Sequence, residues 1–396
     1  MNSNNLNDLI IFLIQDQLNE ESSKIIKEII NIKKNASLSK SLLIKNISNN
    51  TNQINVEKII EKLINLNFIE LNDTKKEEEI INIDINNILN ILLYPRYCYL
   101  ITNKYGPKYS KLFEYLLEFG FYKDNLNTFS KNDFTPLIRD GFIIKNKIQK
   151  KENSDVFSSN NINIYKINFK LLNEILFKEY IINYYKKYIS MNFQFYELFK
   201  KVLNSTNYIY HLKNYEKNIN TFQIIVDNVD YGNLLIKETN SDNNDNKLIL
   251  NKEMIKYDLF YNSLEKIISL FYSSKHLRLF KIILSNQSLN IFQISQKACL
   301  KYLEVQEILD DLIQKLKIIK KQDELYYLND INQTIIDMIK DNIYGILKNM
   351  KYELKDKLKE LQGRIDQNII LQYINKYYSL INEFSEILNA YNFLFN

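Results

Sequence analysis

Residues Ile91 to Gly120 read ILLYPRYCYLITNKYGPKYSKLFEYLLEFG, and this order of residues decides the fold of the chain around it. An apolar helix runs up to Tyr94. Pro95 either ends that helix or begins a new one, because the first turn of a helix needs no amide donor at that position. A second helix ends at Gly106-Pro107. A third ends at Gly120, which is expected to be left-handed; its apolar face comprises Leu112, Phe113, Leu116, Leu117 and Phe119.

Three parts of this stretch carry a resemblance to a known family. They are Leu93 to Tyr97, then Tyr105-Gly106, then the helix end Leu116 to Gly120. In this order they resemble the second winged-helix domain of the largest subunit in the RNA polymerase III-specific heterotrimer, a family related to the large subunit of TFIIE. The resemblance follows most of the chain in order and is sharpest between residues 91 and 120. Its structural motif consists of Tyr94, Pro95, Arg96, Tyr97, Gly106 and Gly120.

The resemblance implies a mainly α fold with small β wings, in which tandem winged-helix domains are followed by a C-terminal antiparallel coiled-coil hairpin. Family members are not catalytic. They bind the clamp side of the polymerase, help to open the promoter and contact the initiation factor TFIIIB. The implied partners are therefore the other RNA polymerase III subunits, including the two other heterotrimer members and the clamp of the largest subunit, together with TFIIIB and DNA. The implied localisation is the nucleus.

Length and composition allow such a division. The 396 residues are 45% hydrophobic, which predicts two to four domains from domain size alone. With 6 Gly and 3 Pro, and every Pro between residues 95 and 136, long helices meet few breakers elsewhere. Together with the resemblance, the pattern predicts winged helices at residues 1–84, 85–168, 169–250 and 251–330, and the hairpin at residues 331–396.

Charge and cysteine usage limit the function classes. The net charge of +5 is the balance of 52 basic and 47 acidic residues, so any DNA contact must be local. Cys98 and Cys299 lie far apart within apolar helical patterns, which predicts buried structural thiols in a reducing compartment rather than a disulfide or a metal site. The absence of a long apolar run and of a signal-like N-terminus predicts a soluble intracellular protein without a membrane contact.

The first predicted module ends in a helix from Val56 to Asn67 and strands from Phe68 to Leu71 and from Ile80 to Ile83, with Asn67 left-handed. In a DNA reader this helix would offer basic or amide side chains to base edges. Here the helix alternates in charge and the wing tip is acidic, through Glu57, Lys58, Glu61, Lys62, Glu77, Glu78 and Glu79. This favours a protein contact over DNA, and a solvated surface without a partner remains the alternative.

The second module has predicted strands from Phe142 to Ile144 and from Ile162 to Ile167. The long wing between them carries the best basic cluster in the chain, formed by Lys145, Lys147, Lys150 and Lys151. These lysines are predicted to touch a phosphate backbone without reading bases, and a solvated loop is the alternative. Arg96 either ties the helix corner to a carbonyl or carboxylate or contacts a partner; its aromatic neighbours favour the first role.

The third and fourth modules rest on weaker patterns. In the third, Ile219 to Asp227 is the candidate recognition helix, with wing strands from Leu234 to Lys237 and from Leu248 to Leu250. In the fourth, Ile318-Ile319 and Leu325 to Leu328 form the predicted hairpin. Its basic residues are a second candidate for DNA contact, namely Lys317, Lys320 and Lys321.

The C-terminal segment is architectural. Apolar residues recur every three or four positions from Ile336 to Ile365 and again from Ile370 to Tyr391, which predicts two long helices packed antiparallel. Family members use this coiled coil at the polymerase clamp, so the predicted partner-binding residues are Leu347, Met350, Leu354 and Leu358. The alternative is a hairpin folded onto the body of the chain itself.

Motifs of catalysis and cofactor binding are missing. The sequence contains no phosphate loop of the GxxxxGK type, no GxGxxG, no CxxC and no HExxH. Isolated His and Cys residues cannot assemble most nucleophile-base pairs or metal sites. We therefore expect no cofactor, no metal and no small-molecule substrate. An enzyme is the least favoured class, a winged-helix interaction scaffold of another nuclear or cytosolic complex is the alternative, and a non-catalytic polymerase III subunit with weak, non-specific DNA binding is preferred.

Overall fold

The computed structural model describes most of the chain, in residues 4–33, 43–45, 53–73, 79–123, 126, 128–148, 162–189, 193–211, 234–240, 245–286, 288–361 and 367–395. Most of these residues are helical, and the strands form small antiparallel sheets. The predicted mainly α composition with small β elements is confirmed at this level.

The chain groups into two compact units. The first contains Met1–Leu176 and Leu347–Glu386, and the second contains Phe177–Ile346 and Ile387–Asn396. The chain passes between the units within long helices instead of linkers. The five predicted domains are a finer division and stay a prediction.

The elements as far as residue 189 alternate helices with short hairpins. In chain order they are α1 (Asn4–Gln17), α2 (Glu20–Lys33), α3 (Gln53–Asn65), β1 (Ile69–Asp73), β2 (Glu79–Ile83), α4 (Ile85–Leu89), a 3-10 turn (Asn90–Leu93), α5 (Tyr94–Tyr105), α6 (Pro107–Phe119), β3 (Tyr122–Lys123), α7 (Lys131–Arg139), β4 (Ile143–Ile148), β5 (Ile162–Ile167) and α8 (Phe169–Ile189).

The remaining elements repeat this alternation before two long helices. In chain order they are α9 (Phe193–Asn204), a 3-10 turn (Thr206–Tyr208), β6 (Ile209–His211), β7 (Leu235–Asn240), β8 (Asp245–Leu250), α10 (Lys252–Phe271), α11 (Ser274–Leu284), β9 (Leu289–Asn290), α12 (Ile291–Ala298), α13 (Tyr302–Gln314), β10 (Ile319–Gln322), β11 (Leu325–Leu328), α14 (Gln333–Leu361) and α15 (Gln367–Phe395).

In the stretch from Ile91 to Gly120, the helices α5 and α6 are joined by a corner at Gly106, and α6 ends at Gly120. Pro95 lies in the first turn of α5, so it begins a helix instead of ending one. Gly106 separates α5 from α6 at a φ of +94°. Gly120 follows α6 at a φ of +81°, and its N–H donates to the Leu116 carbonyl over 2.8 Å. Both glycines therefore occupy backbone conformations that other residues rarely adopt.

The apolar face of α6 is buried except at its end. Leu112, Phe113, Leu116 and Leu117 are buried, as predicted, but Phe119 is exposed. The prediction was wrong at Phe119. This residue is the last of α6, and its ring contacts Tyr115 on the same helix with centroids 4.5 Å apart.

Each predicted wing has its two antiparallel strands. They are the pairs β1–β2, β4–β5, β7–β8 and β10–β11, and Asn67 is left-handed before β1, with a φ of +56°. A third short strand, which the sequence analysis missed, joins three of these hairpins. The sheet orders among the described residues are β3-β5-β4, β6-β8-β7 and β10-β11-β9. In each, the early short strand pairs with the second strand of the hairpin.

Aromatic residues fill the core beneath the β3-β5-β4 sheet. The rings of Phe134 and Tyr165 stack with centroids 4.2 Å apart, and Tyr122 stacks on Phe134 at 5.0 Å. The hydroxyl of Tyr122 also donates to the Phe129 carbonyl over 3.0 Å, so the buried ring keeps a polar partner. This cluster fixes α7 against the hairpin that carries Lys145 and Lys147.

The second unit has its own aromatic and polar core. Tyr185 is fully buried, packs edge-to-face on Phe199 at 6.0 Å and donates a hydrogen bond of 2.6 Å to Asp258. Phe177 and Phe393 stack at 4.4 Å. The chain end, through Phe393, thus packs on the start of the unit.

The cysteines differ from the prediction of buried thiols. Cys98 is half-buried, and burial raises the pKa of its thiol to about 11. Cys299 is exposed, because it forms the left-handed end of α12 at a φ of +51° and lies off the buried stripe of that helix. The apolar pattern around Cys299 predicted burial wrongly.

Candidate interaction surfaces

The hairpin β4–β5 presents the first predicted basic cluster. Lys145 and Lys147 are exposed on β4, which is an edge strand of its sheet. Residues two apart in a strand point to the same face, so the two ammonium groups lie side by side. Lys145 pairs across the sheet with Tyr165, and its ammonium lies 5.8 Å from the centroid of that ring. Lys150 and Lys151 lie outside the described residues.

The second basic cluster lies on β10–β11 and is largely balanced by carboxylates. Lys320 is 3.1 Å from Asp330, whereas Lys317 and Lys321 are exposed. The turn of the hairpin is acidic, through Asp323 and Glu324, and both residues have positive φ. A phosphate backbone would meet repulsion at this tip.

The exposed faces of α3 and α13 are not basic either. On α3 the exposed residues alternate in charge through Glu57, Lys58, Glu61 and Lys62. On α13 the exposed residues include Gln306, Glu307, Asp310 and Gln314. Such faces suit a protein partner better than the phosphates of DNA. Glu77 and Glu78 and the candidate recognition helix from Ile219 to Asp227 lie outside the described residues, and the side chain of Glu79 is not described.

Arg96 takes the structural role. Its Nε lies 2.8 Å from Glu386 on α15, and the two side chains are 27% and 20% exposed. Its guanidinium also lies 5.8 Å from the ring of Tyr99, which is exposed. The ion pair therefore ties the helix corner to the C-terminal helix within the first unit.

Tyr94 and Tyr97 fix the same corner from inside. The ring of Tyr94 stacks on Phe169, with planes 9° apart and centroids at 6.2 Å. The hydroxyl of Tyr97 contacts Asn90 at 3.3 Å and also bonds to Asn173, whose amide donates to Asn90 over 3.0 Å. A buried network of this kind specifies one arrangement of the three segments that meet in it.

Asp140 joins the end of α5 to the end of α7. It accepts from Lys104 over 2.8 Å, from Tyr105 and from Arg139 over 3.1 Å. Hydrogen bonds from these three groups, that of Lys104 first, hold the pKa of the Asp140 carboxyl well below its usual range. Lys104 also lies 4.9 Å from the ring of Phe142. These contacts hold the end of α5 against the end of α7, next to the hairpin β4–β5.

The predicted partner-binding residues on α14 are mostly covered by the chain. Leu347 and Leu354 are buried, Met350 is half-buried, and Leu358 is exposed. Within the first unit, α14 contacts α1: Lys348 pairs with Asp8 at 3.1 Å, and the rings of Tyr352 and Phe12 are 4.3 Å apart. The middle of α14 therefore packs within the fold, and among the predicted partner-binding residues Leu358 is the most exposed.

An apolar surface that was not predicted from the sequence lies at the starts of α12 and α13. Phe292, Tyr302 and Leu303 are 67%, 42% and 72% exposed, and the rings of Phe292 and Tyr302 lie 5.3 Å apart. The sequence offered no clear signal of this exposure, because two consecutive apolar residues of a helix can both be buried, as Leu112 and Phe113 of α6 are.

His276 lies between Ser273 and Asp311. Its Nδ1 is 2.9 Å from the Ser273 hydroxyl, and its Nε2 is 3.5 Å from Asp311. Ser273 precedes α11, so the first contact is a local one at the helix start. Asp311 is bound more closely by Lys315, at 2.9 Å, and this hydrogen bond is the largest cause that lowers the pKa of Asp311. These side-chain contacts join the start of α11 to α13, and the Ser273 hydroxyl makes no capping bond to the helix backbone.

Among the described residues, none of the helices combines the length and apolar composition needed to cross a bilayer. Within the same residues, no group of three or more His, Cys, Asp or Glu side chains could hold a metal ion.

The fold and its surfaces define a mainly helical chain in which a helix-and-sheet unit recurs. Neither a protein-family model nor a curated protein matches the sequence.

Proposed function

We propose that this chain is a non-catalytic subunit of DNA-directed RNA polymerase III, which docks on the polymerase clamp as part of a heterotrimer and assists promoter opening and initiation. One observation carries the proposal. In three sheets, a short strand after a helix pairs with the second strand of a later hairpin. The resemblance implies tandem winged helices, and the recurrence of a helix followed by a sheet with this strand order supports that interpretation.

The stretch from Ile91 to Gly120 supports the proposal because its motif residues have separate structural tasks. Pro95 begins a helix, Gly106 and Gly120 adopt positive φ, and Tyr97 joins a buried network. The residues of the motif therefore build one particular helix corner, so the resemblance does not depend on amino-acid composition alone.

The charge pattern supports a role in protein contact with a small contribution from DNA. The described hairpins and helix faces offer few unbalanced cations, of which Lys145 and Lys147 are the clearest pair. Two phosphate contacts give weak, salt-dependent binding. We propose that this hairpin steers the template and that other surfaces hold the polymerase.

We further propose that α14 and α15 form the antiparallel coiled-coil hairpin. The Tyr377 hydroxyl donates to Glu353, which joins the two helices within the first unit, and this bond is the main cause that raises the pKa of Tyr377. Toward the end of α14 and near the start of α15, Leu358, Leu371 and Tyr373 are exposed. We propose this end of the hairpin as the clamp contact, since Leu347 and Leu354 are covered.

The test is affinity purification of the tagged full chain from its own cells, with quantification of the two largest polymerase III subunits against a tag-only control. We expect both subunits and two further heterotrimer members in comparable amounts. A Leu358→Ser/Leu371→Ser variant should lose the polymerase but keep the heterotrimer members. Recovery of another complex, with no polymerase subunit, would support the scaffold alternative and reject the proposal.

DNA binding by the isolated protein provides a second arm. Binding to a duplex should be weak, and removing Lys145 and Lys147 should reduce the salt dependence by about two units of slope or less. Tight binding to one sequence by the isolated chain would contradict the proposed role.

A further inference from the structure

A shallow groove lies along α11 of the second unit. It has a volume of about 410 Å³ and is lined by Ser274, Leu277, Arg278, Lys281, Ile282 and Ser285. We call it the α11 groove. These residues span about 17 Å of helix at 1.5 Å per residue, the length of roughly three helical turns.

The α11 groove has apolar and basic parts. Leu277 and Ile282 are half-buried and provide apolar surface, whereas Arg278 and Lys281 are exposed beside them. Arg278 donates one bond, of 3.1 Å, to the Ala298 carbonyl at the end of α12. A guanidinium has five N–H donors, so this contact leaves capacity for a carboxylate.

Further lysines lie next to the groove. Lys275 pairs with Glu304, and Lys281 pairs with Glu265 at 2.9 Å. Lys297 is exposed and bonds the Asn286 side chain over 3.1 Å. Lys275, Arg278, Lys281 and Lys297 together outnumber the two carboxylates that they contact, so the groove and its border carry positive charge.

We propose that the α11 groove binds an acidic amphipathic segment of a partner protein, with its apolar side chains on Leu277 and Ile282 and its carboxylates on Arg278 and Lys281. A nucleic acid is a poorer ligand for this groove, because a phosphate backbone has no apolar group to bury against Leu277 and Ile282. This inference depends only on α11 and its contacts and does not require the polymerase role.

The experiment uses the full chain and a fluorescent peptide of about 14 residues, with Leu at helical spacing and Asp or Glu elsewhere. Fluorescence anisotropy should give saturable binding with a dissociation constant of roughly 10 to 100 μM that weakens as salt rises. A peptide with Lys in place of the acidic residues, and one with Ser in place of Leu, should each bind at least about tenfold more weakly.

Two variants locate the binding. Lys281→Glu should weaken binding of the acidic peptide by about fivefold or more, because it reverses a charge at the groove. The matched control is Lys24→Glu, since Lys24 also pairs with a glutamate at 2.9 Å on an exposed helix face elsewhere. It should change binding by less than about twofold. Hydrogen exchange should show peptide-dependent protection of residues 274–285 in the original chain.

Several outcomes would overturn the proposal. Equal weakening by Lys281→Glu and Lys24→Glu would mean that only net charge matters. Tighter binding of a fluorescent DNA duplex that competes with the peptide, and is lost in Lys281→Glu, would make the groove a nucleic-acid site. Self-association that buries residues 274–285 would make a second copy of the chain the occupant.

Discussion

Gly120 fixes the contact between two helices at the scale of one residue. A Cβ atom added there would lie 2.2 Å from the backbone oxygen of Asn65, at the end of α3. The left-handed φ of Gly120 adds conformational strain to this clash. The end of α6 can therefore approach the end of α3 only because the residue has no side chain.

Gly120→Ala should thus lower the free energy of unfolding by more than about 3 kcal/mol, from strain and a backbone clash together. Gly141→Ala is the control. Its φ is also positive, but its added Cβ would meet only the end of the Leu171 side chain at 3.2 Å, which can move. It should cost about 1 to 2 kcal/mol. Denaturant unfolding measures the free energy of unfolding of both variants. Equal losses in the two variants would contradict the close approach of Gly120 to the backbone of Asn65.

Asp258 is a residue whose charge works against the fold. Burial raises its pKa, and the hydrogen bond from Tyr185 offsets this only in part. A raised carboxyl pKa means that the folded state disfavours the charged form. Its contribution to stability is therefore best below the ordinary pKa near 3.8 and declines as pH rises through the raised value.

Asp258→Asn should then stabilise the protein at pH 7 while keeping an acceptor for Tyr185. The gain should be only roughly a few tenths of a kcal/mol, because solvent screens this half-buried carboxyl. The gain over the original chain should shrink as pH falls toward 3.8. Melting temperatures of both proteins across this range provide the measurement. A gain that grows on acidification would show that the folded state favours the carboxylate.

At the scale of elements, the Arg96–Glu386 pair joins α5 to α15. Both side chains are mostly buried, so removing one partner leaves the other charge poorly solvated. Arg96→Gln or Glu386→Gln should each cost about 1 to 3 kcal/mol, and the double variant should cost less than their sum by about 1 kcal/mol. Urea unfolding of the original chain, the two single variants and the double variant measures the coupling free energy between Arg96 and Glu386. Strictly additive costs would mean that the ion pair does not stabilise this corner.

Sequence patterns predicted the elements whose signal is local. Gly120 after an apolar helix and Asn67 before a strand each follow from backbone chemistry. The sequence left two roles open for Pro95, and the structure places it in a first turn. The short strands β3 and β9 have two residues each, which is too few for an alternating pattern. Neither the exposure of Phe292 nor the α11 groove could be identified from the sequence pattern, because both depend on which side chains the tertiary contacts leave uncovered.

The same limit applies to α14. Its stripe predicts that Leu347 and Leu354 are covered, but periodicity does not say by what. The structure shows both residues buried within the chain. For the candidate site, the sequence therefore supplied the basic and apolar residue types, whereas their availability depended on tertiary contacts.

At the scale of the whole molecule, the C-terminal helices contribute residues to both compact units. Residues 347–386 belong to the first and residues 387–396 to the second. A chain ending at Asp330 would lose the contacts of Phe12 and Asp8 with α14 and the contact of Phe177 with Phe393. Neither unit would keep its full core.

We therefore expect the chain ending at Asp330 to unfold at a much lower temperature than the full chain and to be cleaved quickly by a protease. If the C-terminal helices formed an independent arm, the chain of residues 1–330 would keep nearly the same unfolding temperature and protease resistance as the full chain. Circular dichroism during heating and limited proteolysis of the two chains distinguish these cases. A double variant Lys348→Ala/Tyr352→Ala should reproduce part of the loss in the full-length protein.

The ion pair between Asp8 and Lys348 joins residues that are 340 positions apart. At a synthesis rate of about 5 to 20 residues per second, α1 leaves the ribosome roughly 20 to 70 s before its partner helix exists. During that interval the apolar face around Phe12 has no cover from α14. The nascent N-terminus is thus a natural client for a chaperone, and a ribosome stalled late in the message would release a product prone to aggregate.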